Sequence, residues 1–195
     1  MSHPVLASGI SSCIRRVDAG DLPRIAEFAF TVSITEPLDS LPQLQSAHAV
    51  TGLWQRDAGA VAIVELQSKR LIGTAQYYRP GPCVHGLELG YIIHASEDRG
   101  RGNAAQALRL LSDLLFAQAN PYHRQQLMIE VWNTASWKVA ERCGFLREGV
   151  LRASGLGEGE PADSFIYSRT YRDYRQELTS NNGSHGSGVP GGAHD

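Results

Sequence analysis

The sequence predicts a single mixed α/β domain over residues 13–178, and three observations carry that prediction. β-rich runs and helical patterns alternate along the chain in the order β-α-(α)-β-β-β-α-β-α-β-β. The stretch "AAQALRLLSDLLFAQA", residues 104–119, carries leucines and alanines at helical spacing. The last residues, "TSNNGSHGSGVPGGAHD" (179–195), hold almost nothing apolar, so a disordered Gly/Ser-rich tail is expected there.

Taken in order, residues 1–12 read as a flexible leader, and "CIRRV" is a short strand. "DAGDLPRIAEFAFTV" (18–32) is a helix, with Asp21 as N-cap and Pro23 in the first turn, where a missing N–H costs nothing. Residues 36–56 are Pro-broken and read as a loop plus a short helix. "GAVAIVELQ" and "RLIGTAQYY", joined by "SK", form a hairpin with Gly73 at a bulge. "LELGYIIH" (87–94) is a further strand. In the strong helix that follows, Ala104, Leu108, Leu111 and Leu115 make one stripe and Ala107, Leu110 and Leu114 the next. "QLMIEVW" is an apolar strand. "NTASWKVAERCGF" holds a helix of about two turns, with Gly144 suited to the left-handed residue beyond its end. "FLREGVLRAS" and "DSFIYSRTY" are two final strands joined by the polar loop "GLGEGEPA".

Composition narrows the function classes. With 18 Lys and Arg against 20 Asp and Glu, the net charge is −2, which speaks against wholesale nucleic-acid binding. No apolar run reaches the roughly 20 residues of a membrane span. The first residues lack the basic start and apolar core of a signal peptide. The cysteines Cys13, Cys83 and Cys143 are odd in number, widely spaced and fit no zinc pattern, so a reduced, cytoplasmic protein without metal is expected.

The centre of the chain carries the chemical signal. In "EDRGRGNAAQAL" (97–108), Gly100 and Gly102 stand between Arg99 and Arg101 and run into the strong helix. Bare backbone lets N–H groups approach a phosphate, and the helix start adds roughly half a positive charge. A P-loop is absent, because no Gly-Lys-Ser/Thr follows. Gly100-x-Gly102-x-x-Ala105 does match a variant of the dinucleotide fingerprint. In that fingerprint, however, the strand runs almost directly into the first glycine, whereas here "ASEDR" intervenes and several strands come first. A nicotinamide site is therefore rejected.

Three segments together resemble the core of the GNAT superfamily of acyl-CoA-dependent N-acyltransferases: "ELGYII", "RGRGNAAQAL" and "EVWNTASWKVAERCGFLREGVL". The last carries the Asn-x-x-Ser…Gly-Phe-x-x-Glu-Gly pattern of the RimJ/RimL-like branch. The resemblance implies a mostly antiparallel, twisted sheet of six to seven strands with splayed central strands, flanked by helices. It implies acetyl-CoA as co-substrate, its pyrophosphate held by the backbone of Arg99, Gly100, Arg101, Gly102, Asn103 and Ala104. Pantetheine would pair with strand backbone at Tyr91, Ile92 and Ile93, and Asn133 would bond it near the thiol. The partner is an amine-bearing acceptor, a protein N-terminus or a small molecule such as an antibiotic, an amino acid or a polyamine. A homodimer is left open, and neither nucleic acid nor membrane is expected.

Direct acyl transfer to an amine needs a proton acceptor, an oxyanion donor and a donor for the departing thiolate, but no enzyme nucleophile. Glu88, a carboxylate in an apolar strand, is the candidate base; period-two alternation puts it on one face with Gly90 and Ile92. Its alternative is a solvated residue or structural ion pair. Glu130, His85 and His94 are further candidates. A backbone N–H at Tyr91 or Ile92 would meet the oxyanion. For the thiolate, many members of the superfamily place a tyrosine where this chain has Ala140. Ser136 resembles the serine that the RimJ/RimL-like branch offers the sulfur, and it could equally cap its helix. Glu97 stands where wider patterns carry Gln or Arg. Cys143 reads as a buried small hydrophobe, and Trp132 and Trp137 as packing residues or pocket lining. A CoA-binding module without turnover is the non-enzymatic alternative.

Overall fold

The computed structural model describes residues 4–28, 38, 40–157 and 160–183. Its strands are β1 (Val5–Ser8), β2 (Ser12–Arg16), β3 (Ala58–Glu65), β4 (Leu71–Tyr78), β5 (Leu87–Ile93), β6 (Arg124–Glu130), β7 (Leu146–Gly157) and β8 (Glu160–Thr170). Its helices are α1 (Leu22–Ala26), α2 (Leu41–Thr51), α3 (Asn103–Phe116), α4 (Thr134–Arg142) and α5 (Tyr171–Gly183). The strands form one sheet in the order β1-β2-β3-β4-β5-β6-β8-β7. Every pairing is antiparallel except β5 with β6.

That exception opens the sheet. β5 and β6 pair only at Leu87↔Gln125 and Glu88↔Gln126 and then part, as the resemblance implies. The remaining residues of both strands border a gap.

The sheet buries both faces, and the alternation of side chains decides what each face meets. On one face Val61, Ile63, Leu89 and Ile93 pack against Leu108, Leu111 and Leu115 of α3 in the main core. Leu108 and Leu111 are fully buried, so truncating either to alanine would cost about 2–5 kcal/mol. Phe145 and Tyr167 extend this core under α4. On the other face Ala60 meets Val17, Leu22, Ile25 and Leu44 beneath α1 and α2. Arg169, fully buried, ties three elements together: it donates to Ser112 Oγ (2.6 Å) and Asp113 Oδ1 (2.7 Å) of α3 and to Glu177 Oε2 (2.6 Å) of α5.

Several local expectations are met in detail. Pro23 lies in the first turn of α1; Asp21 occupies the N-cap position, but its carboxylate makes no cap bond to that helix and instead accepts the Asp18 N–H (2.8 Å) while gripping Arg15. Gly73 sits at a register shift between β3 and β4, where a Cβ would stand 2.3 Å from the Ile92 carbonyl oxygen. Gly144 follows α4 with φ +81°.

Others are corrected. Val5–Ser8, expected within a flexible leader over 1–12, pairs with β2 and adds an eighth strand to the six or seven expected. Its hold is tertiary: Leu6 and Ala7 pack on the main core, and the Gln106 amide oxygen accepts the Ser11 and Ser12 N–H groups. The polar loop expected at 155–162 is partly strand, with Gly155↔Ala162, Leu156↔Pro161 and Gly157↔Glu160 still paired. The last helix runs to Gly183, past the expected boundaries of residue 178 for the domain and 179 for the tail. Of the helix expected over 18–32, Leu22–Ala26 is α1, and residues 29–32 lie outside the described residues, as do residues 184–195 of the tail. Among the described residues no helix is long and apolar enough to cross a membrane.

Candidate active site

The glycine stretch becomes a hook because both glycines adopt left-handed backbone. Gly100 has φ +71° and Gly102 φ +82°, and a Cβ at either would meet nothing within 4 Å, so both face open space. Gly102 is the N-cap of α3, and the first intrahelical bond runs from Gln106 N to Gly102 O (3.0 Å). The N–H groups of Asn103, Ala104 and Ala105 therefore have no partner within the helix. Between β5 and the hook, Ser96–Asp98 forms a 3-10 turn, so the strand does not feed directly into the glycines as a dinucleotide fingerprint requires.

A cleft of about 440 Å³ opens beside this hook. Tyr91, Ile92 and Ile93 of β5 line one side, Arg99, Gly100, Gly102, Asn103 and Ala104 the mouth, and Asn133 and Ser136 the side carried by β6 and α4. Residues read from three separate segments thus border one cavity. Arg101 is not in its lining; its guanidinium lies 3.8 Å from Glu65. Arg99 differs from the mobile counter-charge expected of it. Its guanidinium donates to the Ile93 and His94 carbonyls (both 3.1 Å), satisfying the end of β5 and fixing the hook to that strand. Asn103 turns its amide oxygen to the Ser11 hydroxyl (2.8 Å), leaving its backbone at the cleft.

Two cations were missed. Lys138 and Arg142 of α4 also line the cleft. Their i, i+4 spacing places them on one helix face, a signal available in the sequence once that face is known to point at the hook.

At α4 the cap position is not held by Ser136. Asn133 is the N-cap, and its Oδ1 accepts the Ser136 N–H (3.2 Å). The Ser136 hydroxyl is released from capping and lies 2.8 Å from the Tyr91 hydroxyl, which also donates to the Ser136 carbonyl (3.0 Å). Burial pushes the Tyr91 phenol up to about 12, so it stays neutral at physiological pH. Ala140 is fully buried in the core, and no side chain there reaches the cleft.

Glu88 lies outside the cleft lining, on the opposite face of the sheet, at the last rung before β5 and β6 part. It is 7% exposed, and both its oxygens are engaged: the Tyr78 hydroxyl donates to Oε1 (2.8 Å) and the Gln126 amide to Oε2 (2.9 Å). Burial and the neighbouring carboxylate push the Tyr78 phenol well above its usual range. Neither the solvated residue nor the ion pair weighed as alternatives is found; the carboxylate is a buried acceptor bridging three strands.

The other candidates part from this centre. Glu130 lies at the far end of β6, half-buried. His85 is exposed beside Tyr122. His94 is buried, stacked on Phe28, with neither ring nitrogen hydrogen-bonded, and burial lowers it to about 4. An imidazole so held is a poor base at neutral pH. Cys143 is buried, donates to the Ala105 carbonyl (3.1 Å) and is pushed up to about 11 by burial, as suits a small hydrophobe. Trp137 packs on the core, whereas Trp132 is 66% exposed and lies outside the cleft lining. Among the described residues no group of three or more His, Cys, Asp or Glu could hold a metal ion.

Comparison with known proteins identifies the family and the fold. Residues 12–146 match the model of the acetyltransferase (GNAT) domain family. The uncharacterized N-acetyltransferase p20 of Bacillus licheniformis is 27% identical over 117 residues, 60% of this chain and 65% of that protein, so the match spans just under two thirds of its length. Among solved structures, the spermidine/spermine N-acetyltransferase SpeG of Vibrio cholerae, in complex with manganese ions, superposes with a TM-score of 0.72. It is 23% identical, over 86% of this chain and 96% of that one. The ribosomal-protein-S5-alanine acetyltransferase of Vibrio fischeri gives 0.67 at 20% identity, covering 86% and 97%. At such identities these structures speak for the fold.

Proposed function

The chain belongs to the acetyltransferase (GNAT) family, and from that premise we propose that it moves an acetyl group from acetyl-CoA to a primary amine by direct attack within a ternary complex. One observation carries the proposal: the unpartnered N–H groups at the start of α3 open on the same cleft that the parting of β5 and β6 creates. A diphosphate at the hook meets backbone donors, the positive end of α3 and the cations Lys138 and Arg142. Pantetheine then runs inward between the strands along Tyr91–Ile93 and Asn133, which brings the thioester to Ser136. No residue of this path requires a metal.

The amine approaches from the other face of the sheet, where Glu88 stands. Glu88 takes the amine proton directly or through a water, since a positioned carboxylate is worth about 10²–10⁴-fold in such a step. The β5 backbone at Tyr91 or Ile92 meets the oxyanion. When the tetrahedral intermediate collapses, the C–S electron pair returns to sulfur and Ser136 donates to the thiolate.

The acceptor we favour is a protein N-terminus. A polyamine is the second reading, because Glu88 and Glu130 lie on one face of β5 and β6 and offer negative charge to a polycation. Incubation with acetyl-CoA and either an alanine-starting peptide or spermidine, read by mass spectrometry, separates the two. One acetyl group on the peptide amine supports the first reading, and acetylspermidine the second. Binding of acetyl-CoA with neither product, even over a wider panel of amines, would make the chain a CoA-binding module. The proposal places it in the cytoplasm.

A further inference from the structure

Tyr91 does more than contribute backbone to the cleft. It stands on β5, while Ser136 rides on α4 behind β6, so their hydroxyls meet across the gap between the two arms. The phenol oxygen is 2.8 Å from Ser136 Oγ and 3.0 Å from the Ser136 carbonyl oxygen, and both residues line the cleft. Each hydroxyl has one proton and two lone pairs. Two arrangements therefore share the same heavy atoms. In one, Tyr91 donates to the Ser136 carbonyl and Ser136 donates to the phenol oxygen. In the other, Tyr91 turns its proton to Ser136 Oγ, and the Ser136 proton is freed to point at a third atom in the cleft. Negative charge growing beside Ser136 selects the second arrangement, and the phenol behind it strengthens the serine as donor.

We propose that Tyr91 is a positioning residue for the leaving thiolate, holding the Ser136 hydroxyl so that its proton turns to sulfur as charge develops there. This rests on the reading that CoA fills the cleft with its sulfur at Ser136. No proton leaves Tyr91: the C–S pair goes to sulfur, the serine proton hydrogen-bonds to it, and the phenol hydrogen-bonds to the serine. The proton released by the amine reaches CoA through the base and solvent. A neutral phenol is suited to this, because a group that stays protonated throughout donates at every working pH. With phenylalanine at 91 the serine hydroxyl loses its partner, and a hydroxyl in a first helical turn then competes for nearby backbone carbonyls.

The test needs no acceptor. The thiol of CoA bound to the protein is titrated by thiolate absorbance, with the titration of the free protein subtracted to remove its cysteines. Wild type is compared with Tyr91→Phe, Ser136→Ala and the double variant, and calorimetric affinity for CoA serves as the control for folding. Ser136→Ala is expected to raise the pKa of the bound thiol by about one pH unit, as loss of one hydrogen bond to a charged group implies. Tyr91→Phe should raise it by about half a unit with CoA affinity within about twofold, the fraction that a partner acting through the serine would carry. The double variant should match Ser136→Ala alone, because Tyr91 acts through that hydroxyl. If Ser136→Ala raises the thiol pKa and Tyr91→Phe does not, or if the two effects add, the role of Tyr91 is overturned while that of Ser136 stands. If Ser136→Ala moves nothing, the placement of the sulfur fails and takes Tyr91 with it.

Discussion

Gly102→Asp is expected to fold and to lose affinity for CoA by about 100-fold or more, close to 3 kcal/mol. The position has φ +82° and open space where a Cβ would point, so the cost to the fold is the ordinary left-handed penalty, which Asp and Asn bear better than other residues. The cost to binding is electrostatic. The new carboxylate would stand at the N-terminus of α3, where it neutralises the helix end and opposes the diphosphate directly. One pair of like charges at about 4 Å in an effective dielectric near 20 repels by about 4 kcal/mol. Gly102→Asn separates shape from charge, since it has the same backbone demand and nearly the same volume. It should keep most of the affinity that Asp destroys. Calorimetric titration of both variants with CoA checks the pair, and wild-type affinity in Gly102→Asp would remove the hook from the site.

Glu88→Gln carries the second large effect: kcat is expected to fall by about 10²-fold or more while KM for acetyl-CoA holds. The variant should fold. Glu88 is a buried acceptor between Tyr78 and Gln126, and a glutamine there still accepts the phenol proton through its oxygen. Its amide then faces the Gln126 amide, and rotating the Gln126 side chain about its last bond presents an oxygen in place of the nitrogen, at the loss of the bond that this oxygen accepts from Arg124 Nε (3.1 Å). Acetyl-CoA affinity should be unmoved because Glu88 lies on the sheet face away from the cleft lining. A steady-state profile with unchanged kcat would leave Glu88 a pin that holds β4, β5 and β6 at the point where the sheet opens, and nothing more.

The parts of the site that are readable from sequence are those in which local chemistry and tertiary purpose coincide. Gly100 and Gly102 signal positive φ whatever surrounds them, and the leucine stripe of α3 signals its own burial. Asn133 and Ser136 fall three apart at a helix start, so a cap and a capped N–H are both foreseeable, although which of the two residues is the cap is not. What stays hidden depends on partners far away in sequence. Arg99 reads as a free counter-charge until the Ile93 and His94 carbonyls turn toward it. Tyr91 and Ser136 meet because two strands part by a particular amount, and nothing in "LGYII" or "NTAS" encodes that distance. His94 offers a plausible pKa as a free residue, and only its burial against Phe28 disqualifies it.

The same division runs through the fold. The hairpin of β3 and β4 and the bulge at Gly73 follow from β-rich runs separated by two residues. β1 does not, because a run of four residues is too short to carry a pattern of its own; pairing with β2 and the packing of Leu6 and Ala7 on the main core hold it. The long β7–β8 hairpin swallows glycines and a proline that read as loop, since the two strands go on pairing with each other at Gly155↔Ala162, Leu156↔Pro161 and Gly157↔Glu160, beyond the reach of β6.

A structure determined with CoA bound tests the central claim most directly. The account predicts the diphosphate within hydrogen-bonding distance of the N–H groups between Gly100 and Ala105, pantetheine between β5 and β6, and sulfur beside the Ser136 hydroxyl. CoA bound elsewhere, with the start of α3 facing only solvent, would contradict it.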